Sequence, residues 1–146
     1  MFRRIVCPTD FSAPAHRAAE YAVRLAKSCG AEVILLHVLA ELSYPMRSLG
    51  TVTAFPNLRT ELHNRAKEEL AEARTKLDPD VSIRTEMRDG EVHEQILDCA
   101  KTGDADLIVI GTHGHTGFHH TRLRSIAERV VRTSETPVLT VRTTED

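Results

Sequence analysis

The segment from residue 112 to residue 125 has the residue types that bind an anion. It contains no acidic residue, so no carboxylate within it would repel a negative charge. Its positive or proton-donating side chains are Arg122, Arg124, His113, His115, His119 and His120. Glycines let backbone N–H groups approach a ligand closely, and those in or beside the segment are Gly111, Gly114 and Gly117. This combination favours phosphate, although a glycine-rich turn that only joins a strand to a helix is an alternative explanation.

Strands and helices alternate along the chain and determine where that segment lies. Apolar runs predict five strands, at residues 4–8, 32–38, 81–87, 106–111 and 137–141. Apolar side chains at three- and four-residue spacing predict helices between them: one ending at Gly30, one over residues 58–77, and one opened by Gly90. Residues 39–56 show no period and predict a long, mobile loop.

A fourth helix is predicted to begin at Ser125. Ser125 and Glu128 have the spacing of a capping box, in which each side chain accepts a hydrogen bond from the backbone N–H of the other residue. The partial positive charge of this helix N-terminus would then face the anion-binding segment. The capping box therefore adds to the case for phosphate.

The regular alternation predicts an α/β fold in which helices cover both faces of an open, five-stranded parallel sheet. In the order 3-2-1-4-5, the succession of strands across the sheet reverses between the first and fourth strands, and ligands bind at the carboxyl ends of those two strands. The first strand ends in Pro8-Thr9-Asp10, and the fourth ends in Gly111 and the segment described above. The two most unusual turns are thus expected at one crevice.

Length and composition indicate one domain over residues 1–146, because this is a common domain size and no linker or repeat divides it. No stretch approaches the roughly 20 apolar residues of a membrane span, and the N-terminus lacks the apolar core of a signal peptide. We therefore expect a cytoplasmic location and no membrane partner.

A formal net charge of -2 gives no support for nucleic-acid binding. The widely spaced Cys7, Cys29 and Cys99 suit reduced thiols in the core.

Several motifs together resemble the universal stress protein family, across nearly the whole chain. The opening Ile5–Ser12 and the strand end Leu35–Val38 are similar to that family. Gly111-x-x-Gly114, followed after nine residues by position 124 and Ser125, resembles its nucleotide-binding signature. The carboxyl-terminal Ala127–Arg132 and Pro137–Val141 are also similar.

The resemblance implies a Rossmann-like fold of the adenine-nucleotide alpha hydrolase type and an ATP-binding regulatory domain that responds to stress. The nucleotide, with Mg²⁺ as a possible companion, would lie against Pro8, Thr9, Asp10, Val38, Gly111, Gly114, Arg124, Ser125 and Ile126. Asp10 and its neighbours would lie near the adenosine, Val38 would offer its backbone to the base, and Ser125 and Ile126 would close on the phosphates. A homodimer through the fifth strand is also implied, with Val138, Leu139, Thr140 and Val141 at the edge.

Arg124 departs from the nucleotide-binding pattern, which has glycine at this position. An arginine there costs conformational energy if the backbone needs a positive φ, and its side chain would obstruct the phosphates. Alternatively, its guanidinium would bind phosphate with two hydrogen bonds. The first case predicts a nucleotide-independent, dimeric interaction module, and the second predicts a nucleotide-dependent switch.

Other chemistry has less support in the sequence. The four clustered histidines suggest zinc, nickel or copper, but no cysteine is near and the arginines would repel a cation, so we predict no metal site. Neither a nucleophile elbow nor a Walker-type motif is present, and the four lysines fall on predicted helices away from the crevice. We therefore predict no catalytic residues and at most slow ATP hydrolysis.

Overall fold

A computed structural model describes residues 1–40, 57–113 and 121–143, with no side-chain description at residues 113 and 121–124. Its strands are β1 (Arg4–Pro8), β2 (Glu32–Ala40), β3 (Ile83–Gly90), β4 (Leu107–His113) and β5 (Val138–Thr143). Its helices are α1 (Ala13–Cys29), α2 (Leu58–Thr75), α3 (Val92–Thr102) and α4 (Thr121–Thr133). The predicted loop over residues 39–56 lies outside the described residues, except that its first two residues belong to β2.

The five strands form one parallel sheet in the order β3-β2-β1-β4-β5, which confirms the predicted α/β fold and strand order. β1 lies at the centre and pairs with β2 through Pro8 and Leu36, and with β4 through Ile5 and Leu107. The succession of strands across the sheet reverses between β1 and β4, which run parallel to each other. The carboxyl ends of these strands therefore border the crevice at which a sheet of this type binds ligands.

Helix α1 begins and ends as its sequence dictates. Ser12 accepts a hydrogen bond from the backbone N–H of Ala15 and caps the helix, and Pro14 stands in the first turn, where its missing N–H costs nothing. Gly30 ends the helix with a left-handed φ of 73°, which glycine adopts without strain. Small alanines on its buried face, such as Ala18 and Ala22, allow the helix to lie close to the sheet.

Two apolar clusters cover the two faces of the sheet. One packs α1 and Leu70 of α2 against Cys7, Leu35 and Val109. The other packs Ile96 of α3 and Val130 of α4 against alternate strand residues, which include Ile34, Leu36, Ile108 and Ile110. Because successive strand residues point to opposite faces, β1, β2 and β4 are apolar on both sides, as a central parallel strand requires. This arrangement explains their nearly unbroken apolar runs.

The predicted start of the fourth helix is wrong. α4 begins at Thr121, so Ser125 lies inside the helix and does not cap it. A serine and a glutamate three residues apart also occur within a helix, and Leu123 and Arg124, which precede Ser125, are good helix formers. Backbone hydrogen bonding therefore begins one turn earlier than the capping pattern indicated.

The third helix also begins differently from the prediction. Gly90 is the last residue of β3, with a φ of 137°, and pairs with Ala40 across the sheet. Glu91 caps the helix by accepting a hydrogen bond of 3.1 Å from the N–H of Glu94. Gly90 is thus needed for the sharp bend between strand and helix, while an acidic residue provides the cap.

The cysteine side chains are free thiols, with Cys7 and Cys99 buried and Cys29 half-buried. Burial raises the pKa of the Cys7 thiol to about 12, so it remains protonated at neutral pH. This agrees with the predicted reduced thiols of the core.

Among the described residues, no helix has the length and apolar character needed to cross a membrane.

Candidate functional site

A cavity of about 310 Å³ opens at the carboxyl ends of β1 and β2, on the side covered by α3 and α4. It lies at the point where the succession of strands across the sheet reverses, as the fold predicts. Its polar lining comes from the β1 end and β2, and its apolar wall from the helices and β4. The lining residues are Pro8, Thr9, Asp10, Leu36, His37, Val38, Leu39, Ala40, Val92, Ile96, Ile110 and Ile126.

The turn after β1 is held by its own side chains. Thr9 Oγ1 accepts a 3.0 Å hydrogen bond from the N–H of Phe11, whose φ of 68° is uncommon for a residue with a Cβ. Asp10 Oδ1 accepts hydrogen bonds from both the N–H and the hydroxyl of Ser12. These bonds direct the chain from β1 into α1 and leave the second carboxylate oxygen of Asp10, Oδ2, without a hydrogen bond to a described residue.

His37 on β2 reaches across to this turn. Its Nδ1 lies 2.8 Å from the carbonyl oxygen of Thr9, and its ring stacks on Phe11 with 4.4 Å between ring centroids and 28° between planes. A carbonyl oxygen only accepts hydrogen bonds, so Nδ1 is the protonated nitrogen. His37 therefore links the end of β1 to β2 at the edge of the cavity.

Val38 presents an open backbone edge to the cavity. In the parallel ladder, the N–H of Thr9 donates to Leu36 over 2.7 Å, so the backbone groups of Leu36 point towards β1. Successive residues of a strand alternate the direction of these groups, so the N–H and carbonyl of Val38 also point towards β1. β1 has ended at Pro8, however, and no described residue hydrogen-bonds to either group. One donor and one acceptor thus stand side by side at the cavity.

Gly111 allows β4 to lie close to α1. A Cβ at this position would meet the carbonyl oxygen of Pro14 at 2.6 Å, well inside contact distance. Gly111 is also buried and pairs with Val141 of β5. The sequence suggested that this glycine makes room for a ligand, but among the described residues the close approach is to the first turn of α1.

The structure brings together five of the predicted site residues, since Pro8, Thr9, Asp10, Val38 and Ile126 all line the cavity. Two others do not line it, since Gly111 packs on α1 and Ser125 is exposed within α4. For Arg124, only the helical backbone is described, so its predicted contact stays a prediction. Gly114 and most of the histidine cluster lie outside the described residues.

The sequence reasoning missed His37 and the apolar wall formed by Val92, Ile96 and Ile110. Val92 and Ile96 carried a recognisable signal, since their spacing placed them on the inward face of the third helix. His37 carried none, because its contact with Thr9 joins residues on different strands.

A larger cavity of about 710 Å³ lies on the opposite face, between α1 and α2, and shares Thr9 with the first. Its polar rim includes His16, Glu72 and Lys76, of which Lys76 lies 3.8 Å from Glu72 and His16 lies 3.0 Å from Glu20. These charges pair locally, and the other predicted nucleotide contacts are absent from its described lining. It does not coincide with the expected site.

One group of possible metal ligands occurs in the described ranges, where the ligand atoms of Glu91, His93 and Glu94 lie within 4.8 Å of one another. Glu91 already caps α3 and contacts His93, and Arg129 lies 3.9 Å from it. Burial alone would raise the pKa of Glu91, but the Glu94 N–H, His93 and Arg129 together lower it. The three side chains are therefore explained by the capping of α3 and by the ion pairs of Glu91, without a metal ion.

The fold and the position of the first cavity define a doubly wound α/β protein with a cavity at the switch point of its strand order. The model of the universal stress protein family matches residues 1–142. A curated universal stress protein, MJ0531 of Methanocaldococcus jannaschii, is 34% identical over 143 residues, covering 97% of this chain and 83% of its own. The chain belongs to the universal stress protein family, as its motifs predicted.

Solved structures agree with this assignment. MJ0577 of Methanocaldococcus jannaschii superposes with a TM-score of 0.80 at 32% identity, covering 100% of this chain and 99% of its own. A universal stress protein from Archaeoglobus fulgidus in complex with dAMP superposes with a TM-score of 0.65 at 22% identity, covering 96% of this chain and 97% of its own. The second comparison shows a shared fold.

Proposed function

We propose that this protein binds ATP in the 310 Å³ cavity and acts as a regulatory domain whose state depends on the bound nucleotide. The open backbone edge of Val38 carries the proposal. Adenine has a donor, its N6 amino group, next to an acceptor, N1. These match the carbonyl and the N–H of Val38, whereas the hypoxanthine of ITP exchanges donor and acceptor at the two positions.

The walls of the cavity suit a flat, largely apolar base. Ile96 and Ile110 are buried, and Val92 and Ile126 continue the same apolar wall at the opening. Pockets for small ligands typically combine such walls with a few polar groups that fix orientation. The universal stress protein with bound dAMP supports an adenine nucleotide on this fold.

Asp10 suits the ribose. Its Oδ1 is occupied by Ser12, while Oδ2 has no described partner and can accept a hydrogen bond from a sugar hydroxyl. From there, the phosphates would extend towards Gly114 and the N-terminal part of α4, where Arg124 and Ser125 belong to a segment free of acidic residues. The helix dipole favours negative charge at that end.

The polar groups at the cavity are too few for rapid hydrolysis of ATP, so we expect slow hydrolysis at most. Its described lining contains one carboxylate, Asp10, and no lysine or arginine. Efficient phosphoryl transfer needs metal ligands, a positioned water and several charge stabilisers. Because that carboxylate is assigned to the ribose, the described lining offers no second carboxylate to hold Mg²⁺. We therefore assign the protein a binding role rather than rapid turnover.

The proposed assembly is a homodimer formed by β5 of two copies. β5 is an edge strand, so one side of its backbone lacks a partner strand among the described residues. Leu139 on β5 is 37% exposed, and Val131 on the adjacent α4 is 52% exposed. An open edge flanked by exposed apolar side chains is normally covered, and pairing with a second copy would cover it.

Calorimetric titration of ATP into the purified protein tests the proposed site. Val92→Trp should fill the cavity and abolish binding, while Lys101→Trp, at an exposed position of the same helix outside the cavity lining, should retain it. If the wild type binds no ATP, and if the denatured protein releases no 260 nm absorber, the nucleotide-independent interaction module becomes the better description.

A further inference from the structure

We propose that His37 and Thr9 are positioning residues that prevent β1 from pairing with Val38 and so keep the base-recognition edge open. This inference rests on the proposed ATP function and explains how this chain would keep its adenine contact available. It concerns hydrogen bonds between described residues that the family motifs did not reveal.

The parallel ladder identifies the bonds that would close the edge. If β1 continued alongside β2 beyond Leu36, the carbonyl of Thr9 would accept the N–H of Val38. The N–H of Phe11 would then donate to the carbonyl of Val38. Both groups of Val38 would be used, and none would remain for a base.

Each of these two bonds is replaced by a bond from a side chain. The Thr9 carbonyl is occupied by His37 Nδ1 at 2.8 Å, and the Phe11 N–H is occupied by Thr9 Oγ1 at 3.0 Å. The ring of His37 also stacks on Phe11, which holds the turn away from β2. Backbone groups that would otherwise be unpaired are therefore satisfied without Val38.

The two side chains act through different atoms, so each can be removed separately. His37→Phe keeps an aromatic ring for the stack on Phe11 but loses the nitrogen. His37→Asn restores a donor, because the amide nitrogen stands the same number of bonds from Cα as Nδ1. Thr9→Val removes Oγ1 at nearly constant volume, and Thr9→Ser restores it. His16→Phe is a matched control, since that histidine lies on α1 beside the other cavity.

Titrations with ATP and with ITP measure the ratio of the two affinities, which decides whether the base is recognised. The wild type should prefer ATP at least about tenfold, and His37→Phe and Thr9→Val should each lose most of that preference by weakening ATP about tenfold. ITP affinity should fall less than ATP affinity, because the phosphate contacts do not involve this turn. His37→Asn, Thr9→Ser and His16→Phe should retain the preference. Equal weakening of both nucleotides would indicate a merely structural role and overturn the proposal.

Amide hydrogen exchange tests the same effect without nucleotide. The Val38 amide should exchange at least about tenfold faster than the ladder-bonded Leu36 amide in the wild type, and should become protected in His37→Phe and Thr9→Val. Protection of Val38 in the wild type would overturn the proposal even if ATP binds. Rapid exchange in the wild type that slows in both variants would support it even if the wild type binds no nucleotide, a result that would reject only the proposed function.

Discussion

Cys7 is the fourth of the five residues of β1, and its side chain is completely buried on the face of the sheet covered by α1 and α2. Burial raises its pKa to about 12, and burial followed by the charge of Glu86 raises that of Cys99 to about 12. In the folded protein, both thiols therefore keep their protons above pH 9, while exposed thiols of the unfolded chain lose theirs.

We expect the free energy of unfolding to fall between about pH 9 and pH 12. Ionisation of Cys7 and Cys99 favours the unfolded chain in this window, by at most about 1.4 kcal/mol per pH unit for each thiol. Urea unfolding at pH 8, 9.5 and 10.5 measures the slope, which should be shallower in Cys7→Ala. Val6→Ala, a neighbouring buried change without an ionisable group, should lower stability but keep the wild-type slope. An unchanged slope in Cys7→Ala would contradict the assignment.

Arg124 decides between the two functional hypotheses. Its backbone lies within α4, so the glycine of the family pattern is not needed here for a positive φ. This removes the conformational argument against arginine and leaves the position of its guanidinium as the deciding factor.

We expect Arg124→Gly to weaken ATP binding by more than tenfold, because it removes charge-assisted hydrogen bonds worth about 1.5–3 kcal/mol. Calorimetric titration of both proteins at equal ionic strength measures the change. Arg132→Gly, near the other end of α4, controls for the cost of a helical glycine and for the loss of one positive charge. Tighter binding by Arg124→Gly would mean that the arginine obstructs the site.

At the scale of elements, the contact between β4 and α1 depends on Gly111. The backbone of Pro14 occupies the space that a side chain would need, and the strand is fixed by its ladder with β5. Neither element can move away without disturbing a core cluster.

Gly111→Ala should therefore lower the free energy of unfolding by about 1–3 kcal/mol, as overpacking typically does. Urea unfolding at neutral pH measures the change. Gly30→Ala offers a comparison, because no atom lies within 4 Å of its added Cβ and only the left-handed backbone costs energy, about 1 kcal/mol. If Gly111→Ala is no less stable than Gly30→Ala, the close approach carries no energetic weight.

The sequence predicted elements where one periodicity dominates and failed where local signals compete. Apolar runs such as residues 32–38 identified central strands, because burial on both faces leaves no other pattern. Ser125 misled because capping and interior helix positions share the same spacing. His37 could not be recognised, since its partner is a backbone carbonyl on another strand. Cavity residues at the end of β1 were predictable from the fold, because the carboxyl end of that strand borders the switch point, whereas Val38 on β2 was predicted only from the family resemblance.

At the scale of the molecule, the exposed edge at β5 is the feature that most directly concerns assembly. We expect a dimer at micromolar concentration and a monomer for Leu139→Asp, because like charges would face each other across a two-fold axis. Sedimentation velocity measures the mass. Tyr21→Asp on α1, where the tyrosine is 41% exposed, is the control and should remain dimeric. A monomeric wild type would exclude the proposed interface.

The central position of β1 also governs the order in which the sheet can be built on the ribosome. β2 follows β1 closely in the chain, but Ile5 pairs with Leu107, and Arg3 donates its N–H to Asp106 across 103 positions. A chain synthesised from its N-terminus offers β1 its first neighbour early and its second only after β4 has left the exit tunnel. The nascent protein therefore carries an unpaired apolar strand edge through most of its translation, the kind of surface that chaperones recognise.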